Sequence, residues 1–123
     1  MPQRSPAQRP VLLVEDDRVS CNALSSILRR RGFEVIVATT LAEGFARLSE
    51  NPTHIILDLM LPDGDGEDIL RLLRRNQSPA KVLVTTAVND QDRLRSVREQ
   101  HPDAILQKPI DLSKLLRMLE PLH

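Results

Sequence analysis

The chain has 123 residues, enough for one domain with little room for a second. Lys plus Arg and Asp plus Glu both number 17, so net charge points to neither nucleic acid nor a membrane as partner. One cysteine, Cys21, excludes an intramolecular disulfide, and neither a membrane span of ~20 apolar residues nor a secretory signal is visible, so a cytoplasmic domain is expected. Aromatic residues are only 2%, Phe33 and Phe45, so the core must be aliphatic.

Residues 1–9 offer almost nothing to bury and read as a flexible tail. Val11-Leu12-Leu13-Val14 reads as a first strand, apolar at every position as buried parallel strands are. The first helix is expected from about Arg18 to Arg31, with Val19, Ala23, Leu24, Ile27 and Leu28 at helical spacing and Gly32 as its stop. Glu34 to Ala38 is the second strand, and a second helix runs from about Leu41 to Ser49. Ile55-Ile56-Leu57 is the third strand, and residues 62–66 form a loop by composition. A third helix follows from about Glu67 to Arg75, and a fourth strand covers Lys81 to Thr85. A fourth helix spans about Asp90 to Glu99, with only Leu94 and Val97 facing a core. Ala104-Ile105-Leu106 is the fifth strand, and the fifth helix runs from about Leu112 to Leu119.

Five strands, each followed by a helix, imply right-handed crossovers: an α/β fold, a doubly wound parallel sheet with helices on both faces. Ligands of such sheets sit beyond the carboxyl ends of the strands. Those ends carry Glu15, Asp16 and Asp17, then Asp58, then Thr85 and Thr86, then Lys108 before Pro109. Two carboxylates ~4 Å apart repel by about 4 kcal/mol at an effective dielectric near 20, so clustering three calls for a cation. An incomplete, all-oxygen set suits Mg2+. Asp17, directly before the first helix, reads better as a helix cap. A lone carboxylate at Asp58, after an apolar mid-sheet strand, reads as a nucleophile toward a phosphoryl centre. Metal, hydroxyl and ammonium together would neutralise the transferred group.

The motifs VEDD, LDLMLPDGDG, VTTA and QKP, each at a strand end, resemble the receiver domain of two-component response regulators over roughly residues 10–121. The resemblance implies a flavodoxin-like sheet of order 2-1-3-4-5 with five helices. It implies Asp58 as phosphoacceptor and Asp16 as a direct ligand of Mg2+, with Mn2+ able to substitute. Glu15 would act mainly through a metal-bound water and Met60 through its backbone carbonyl. Thr86 would hydrogen-bond one phosphoryl oxygen, Lys108 would pair with another, and the Lys108–Pro109 bond would be cis. The donor would be a sensor histidine kinase or a histidine phosphotransfer protein. The family usually places Tyr or Phe three residues before the Lys, and here that switch position is Ile105. The aromatic partner of Thr86 in the usual switch is therefore absent.

Other constellations fall short. Aligning Gly66 with the glycine of a calcium loop puts Leu61 and Leu72 at ligand positions, and the match fails. A haloacid-dehalogenase phosphatase would need an acid two residues after Asp58, where Met60 stands. His54, His101 and His123 form no ligand pair and read as surface residues, and Cys21 reads as structural or incidental. The fourth helix is either a solvated helix or, being thinly packed, a movable part of a surface with strand five and helix five for an unidentified downstream protein. The expected function is a phosphorylation-activated signalling switch that changes partner binding, without turnover of a free metabolite, so not a conventional enzyme. Rivals are one piece of a longer kinase or transcription factor, a phosphatase, and a pseudo-receiver that only binds partners. No DNA-binding helix-turn-helix is visible in these 123 residues.

Overall fold

The apolar run at Val11–Val14 is a strand buried on both faces, β1 (Pro10–Val14), in the interior of a five-stranded sheet. The computed structural model describes residues 10–120, so the expected tail at 1–9 and the boundary at 121 lie outside the described residues. In chain order the elements are β1, α1 (Arg18–Arg30), β2 (Glu34–Ala38), α2 (Leu41–Arg47), a 3-10 turn (Leu48–Glu50), β3 (His54–Asp58), β4 (Met60–Leu61) and β5 (Gly64–Asp65). There follow α3 (Glu67–Arg75), β6 (Lys81–Thr86), α4 (Gln91–Arg98), β7 (Ala104–Gln107) and α5 (Leu112–Leu119). The main sheet has the order β2-β1-β3-β6-β7, and every pair in it is parallel. Strands β4 and β5 form a separate antiparallel hairpin inside the loop after β3. With that hairpin set aside, the order is the expected 2-1-3-4-5.

Alternation along the strands divides the aliphatic core into two layers. Leu12, Val14, Ile55, Leu57, Val82 and Val84 pack with Ile69, Leu70, Leu73 and Val97, the face covered by α2, α3 and α4. Val11, Leu13, Ile56, Leu83 and Leu106 pack with Leu24, Leu28, Leu115 and Leu119 of α1 and α5. Fully burying each such side chain contributes roughly 1.5–3 kcal/mol, and this double layer fixes the height of every strand end.

Capping follows the sequence closely. Asp17 accepts from the Ser20 N–H, Asp90 from Asp92 and Arg93, and Asp111 from Lys114, so the cap reading of Asp17 holds. At the end of α1, Gly32 adopts φ 90°, with Phe33 N–H donating to Leu28 and Gly32 N–H to Arg29, a Schellman closure.

Four readings change. α2 stops at Arg47 and tightens into the 3-10 turn, because Asn51 takes a left-handed conformation before Pro52. Val19 does not face the core but stands 77% exposed near the start of α1. His54 is buried at the start of β3 rather than on the surface. The loop at 62–66 is partly ordered by the β4–β5 hairpin.

Gly66 ties that hairpin to the sheet. Its N–H donates to the Leu59 carbonyl at 2.8 Å, and a Cβ there would lie 2.1 Å from the Asp58 carbonyl oxygen. Gly66→Ala should therefore lower stability by about 1–3 kcal/mol, read as a lower urea midpoint at unchanged m-value. An unchanged midpoint would contradict this close approach.

Candidate functional site

β1 and β3 are neighbours with Val14 opposite Leu57, so the next residues, Glu15 and Asp58, emerge side by side at the carboxyl edge. Asp58 closes β3 opposite Thr85 of β6. Thr86 closes β6 opposite Gln107 of β7, and the Lys108 N–H donates to the Thr86 carbonyl at 2.8 Å. Parallel register alone thus gathers residues more than ninety positions apart. The Lys108–Pro109 bond is cis.

The Lys108 ammonium bridges the two buried acids, donating to Asp58 Oδ2 at 2.8 Å and to Glu15 Oε1 at 2.9 Å. The Met60 N–H donates to Asp58 Oδ1 at 3.0 Å, and the Asp17 N–H to Glu15 Oε2 at 3.1 Å. Glu15, Asp16 and Asp58 each offer an oxygen within 4.8 Å of the others. Glu15 and Asp58 are buried, while Asp16 is exposed at the mouth. Three carboxylates against one ammonium leave an excess of negative charge, and all donors are hard oxygens. The set fits a divalent cation that keeps part of its water, and it does not fit a thiolate- or imidazole-seeking metal.

The local fields follow from this crowding. Burial pushes the Glu15 carboxyl above its ordinary 4.5, and the Asp58 charge adds to that. Lys108 and the Asp17 N–H oppose the rise without cancelling it. For Lys108, burial pulls the ammonium down, yet its bonds to Asp58 and Glu15, with their charges, hold it above 10.5.

Thr86 is fully buried, and its hydroxyl oxygen accepts from the Val88 N–H at 2.9 Å. Met60 is 63% exposed, two residues after Asp58. Ile105 lies opposite Val84 and already packs against the apolar layer beneath α3 and α4.

Sequence reasoning missed Glu67, Arg93 and Gln107. Glu67 is buried, taking bonds from Arg93, from Ser96 Oγ at 3.0 Å and from Arg71 at 2.7 Å. The sequence carried no signal for this burial, since the positions four and seven residues on, on the same helix face, are Arg71 and Arg74 and read as a solvated face. Gln107 donates from its amide to the Val88 carbonyl at 3.2 Å, holding the loop after Thr86. A side-chain bond between a strand end and a distant loop leaves no sequence pattern.

The raised Glu15 carboxyl makes a signed prediction. A carboxyl whose folded pKa lies above its unfolded value favours folding below the unfolded pKa, and that contribution is lost as pH rises through the folded one. Without divalent metal, Glu15→Gln should therefore be more stable than wild type at neutral pH, and the gain should vanish below about pH 4.5. Urea midpoints across pH check it. A variant less stable at pH 7 would show that Lys108 outweighs burial.

A family profile described as the response regulator receiver domain matches residues 11–120. The regulatory protein VanRB of Enterococcus faecalis is 33% identical over 113 residues, 91% of this chain and 51% of that protein. A cyclic di-GMP phosphodiesterase of Thermotoga maritima is 33% identical over 108 residues, 88% of this chain and 29% of that protein. The chain thus spans about half of one of these curated relatives and under a third of the other. A CheY-like receiver domain protein from Methanospirillum hungatei superposes with a TM-score of 0.83 at 26% identity, over 91% of this chain and 90% of that one. The Mn2+-bound response regulator Rcp1 superposes with a TM-score of 0.75 at 28% identity, over 90% and 88%. The profile's extent and the acid cluster at the sheet edge agree: the chain belongs to the response regulator receiver domains, the phosphorylation-activated switches of two-component systems.

Proposed function

We propose that Asp58 is the phosphoacceptor and that its phosphorylation changes the binding of a downstream protein. The observation that carries this reading is the buried Asp58 carboxylate, held by Lys108 with Glu15 and Asp16 beside it. One Asp58 oxygen forms a bond to phosphorus as the phosphorus–nitrogen bond of a phosphohistidine breaks. The imidazole nitrogen leaves with the electron pair and takes up a proton. Lys108 is placed to pair with one phosphoryl oxygen, and the Thr86 hydroxyl to donate to another. Asp16 and Asp58 would ligate Mg2+ directly, Glu15 through a water and Met60 through its backbone carbonyl, and Mn2+ suits the same oxygen donors. When bound, the cation neutralises the acid cluster and draws charge from the phosphoryl oxygens.

The donor is a sensor histidine kinase or a histidine phosphotransfer protein. A cleft of about 320 Å³ beside Lys108, lined by Ala23, Leu24, Ile27, Pro109 and Leu112 among others, suits an apolar helix face bearing the phosphohistidine. The downstream protein would dock on α4, β7 and α5. The domain works from about residue 10 to 121, in the cytoplasm, and turns over no free metabolite. No described helix is long and apolar enough to cross a membrane, and the reading involves no direct contact with nucleic acid or membrane. The phosphodiesterase activity belongs to the Thermotoga protein, most of which lies outside the match.

With Mg2+ and acetyl phosphate the protein should gain one acid-stable, base-labile phosphoryl group by intact mass, and Asp58→Asn should gain none. Equal labelling of the variant would move the acceptor elsewhere.

The lifetime of the phosphorylated state follows from two neighbours. Hydrolysis needs a water in line behind phosphorus, opposite the Asp58 oxygen. Met60 and Val88 line one cleft with Leu59 and Asp65, and neither side chain can hold or polarise water. The phosphoryl group should therefore be long-lived, and Met60→Asn with Val88→Glu should accelerate its loss several-fold. A tenfold gain needs about 1.4 kcal/mol off the barrier, comparable to one hydrogen bond to a charged group. Decay of purified phosphoprotein in Mg2+ is the measurement, and equal rates would refute this account.

A further inference from the structure

Among the described residues three carboxylates are buried. Glu15 and Asp58 belong to the acceptor cluster. The third, Glu67, is 1% exposed in the first turn of α3, where the proposed phosphotransfer does not use it. Both its oxygens are occupied: Oε1 bonds the Arg93 guanidinium, and Oε2 takes the Ser96 hydroxyl and Arg71. The other arm of Arg93 bonds Asp65 Oδ1, which also accepts the Glu67 N–H at 2.9 Å. Arg93 and Ser96 lie on α4, and Asp65 on the hairpin that follows Asp58.

α4 has few other anchors, since Leu94 and Val97 are its only buried residues. Its placement therefore depends heavily on this polar cluster. The cluster is joined to the acceptor by a short chain of bonds. Met60 donates its N–H to Asp58 Oδ1, and Met60 is the register partner of Asp65 across the hairpin. Gly66 is held against the Asp58 backbone, so Asp65 and Glu67 move with it. Arg93 also lines the cleft that contains Met60 and Val88, the residues flanking the phosphoryl position. A phosphoryl group on Asp58 would change the acceptor of the Met60 N–H and add negative charge beside the cleft that Arg93 lines. Burial opposes the Arg93 charge, yet its bonds to Asp65 and Glu67, with their charges, hold its pKa above the ordinary arginine value.

We propose that the latch formed by Asp65 and Glu67 with Arg93 and Ser96 carries phosphorylation of Asp58 to α4, in a chain whose switch position is Ile105. The proposal rests on Asp58 being the acceptor. It assigns to Arg93 a positioning role: the side chain sets where α4 sits and performs no phosphoryl chemistry.

The test reads two quantities in one sample, intact mass and backbone amide shifts, before and after acetyl phosphate with Mg2+. Three proteins are compared: wild type, Arg93→Lys, and Glu67→Met with Arg93→Met. The double variant removes both charges, so no unpaired charge is left buried. All three should phosphorylate to the same extent. In wild type the amides of residues 91–98 should shift with phosphorylation. Arg93→Lys, which keeps a cation, should retain a reduced response. The double variant should lose most of the α4 response while Thr86 and Lys108 amides still shift. A double variant whose α4 responds as in wild type would overturn the latch and leave the acceptor reading intact. A wild type that gains no mass would overturn the acceptor reading and the latch with it. Should the double variant not fold, Arg93→Gln is read by the same criteria.

Discussion

The Lys108 ammonium is the interaction on which the site depends, because among the described residues it is the one positive group set between two buried carboxylates, at the ends of two neighbouring strands. Removing one member of a buried, hydrogen-bonded ion pair costs about 3–5 kcal/mol, since the partner charge is left uncompensated. Here one cation serves two anions, Asp58 and Glu15, with Asp16 close by. The balance is deliberately short of neutral. Burial raises the Glu15 carboxyl and the Asp58 charge adds to the rise, so holding both acids ionised at this edge is costly. Stability and function pull against each other at this edge. Carboxylates that repel one another in the apo protein are what make the edge receptive to a divalent ion and a phosphoryl group.

The rest of the fold serves to hold that edge at one height. β1, β3 and β6 are apolar on both faces, so a one-residue slip would exchange side chains between two differently packed layers and draw a polar strand end into one of them. The register opposes Asp58 to Thr85 and Thr86 to Gln107, and so it delivers Lys108 beside the acid cluster without any loop having to find its place. The close approach of Gly66 to the Asp58 carbonyl adds a local clamp. Three helix caps, Asp17, Asp90 and Asp111, fall on the same edge and add to its acidic character.

The strands, the helices and the acid cluster were legible in the sequence because each leaves a periodic or positional trace. Apolar runs of three or four residues gave the buried strands, and the first or second residue beyond four of these runs gave Glu15, Asp58, Thr86 and Lys108. What escaped was decided by contacts between distant segments. Val19 sits at a helical spacing that fits the core, yet the helix presents it at the exposed edge beside the site. Cys21 has polar sequence neighbours, and only the packing of α1 on the sheet shows it buried. His54 opens β3 at a position that composition cannot separate from a surface turn. The β4–β5 hairpin is too short for any alternation to register. Glu67 read as an ordinary acidic first turn, favourable at a helix N-terminus, and its burial depends on Arg93 arriving from another helix.

Glu67 also bears on why a charged cluster should stand under α4 at all. A buried ion pair is weak evidence for stability, since well-packed apolar residues of similar volume often do as well or better. Its distinguishing property is direction: an ion pair holds one geometry and responds to a new charge nearby, which an apolar contact does not. Ile105 offers no hydroxyl to exchange between solvent and interior, and it is already packed against the core. A side chain in that state has little left to report. The thin apolar anchorage of α4, two residues on eight, leaves the helix sensitive to whatever else holds it. On the proposed reading, the polar cluster joined to the hairpin after Asp58 is the hold on α4 that charge added at Asp58 would perturb. The absence of the aromatic and the presence of a buried carboxylate at the head of α3 are, on this physics, two aspects of one arrangement.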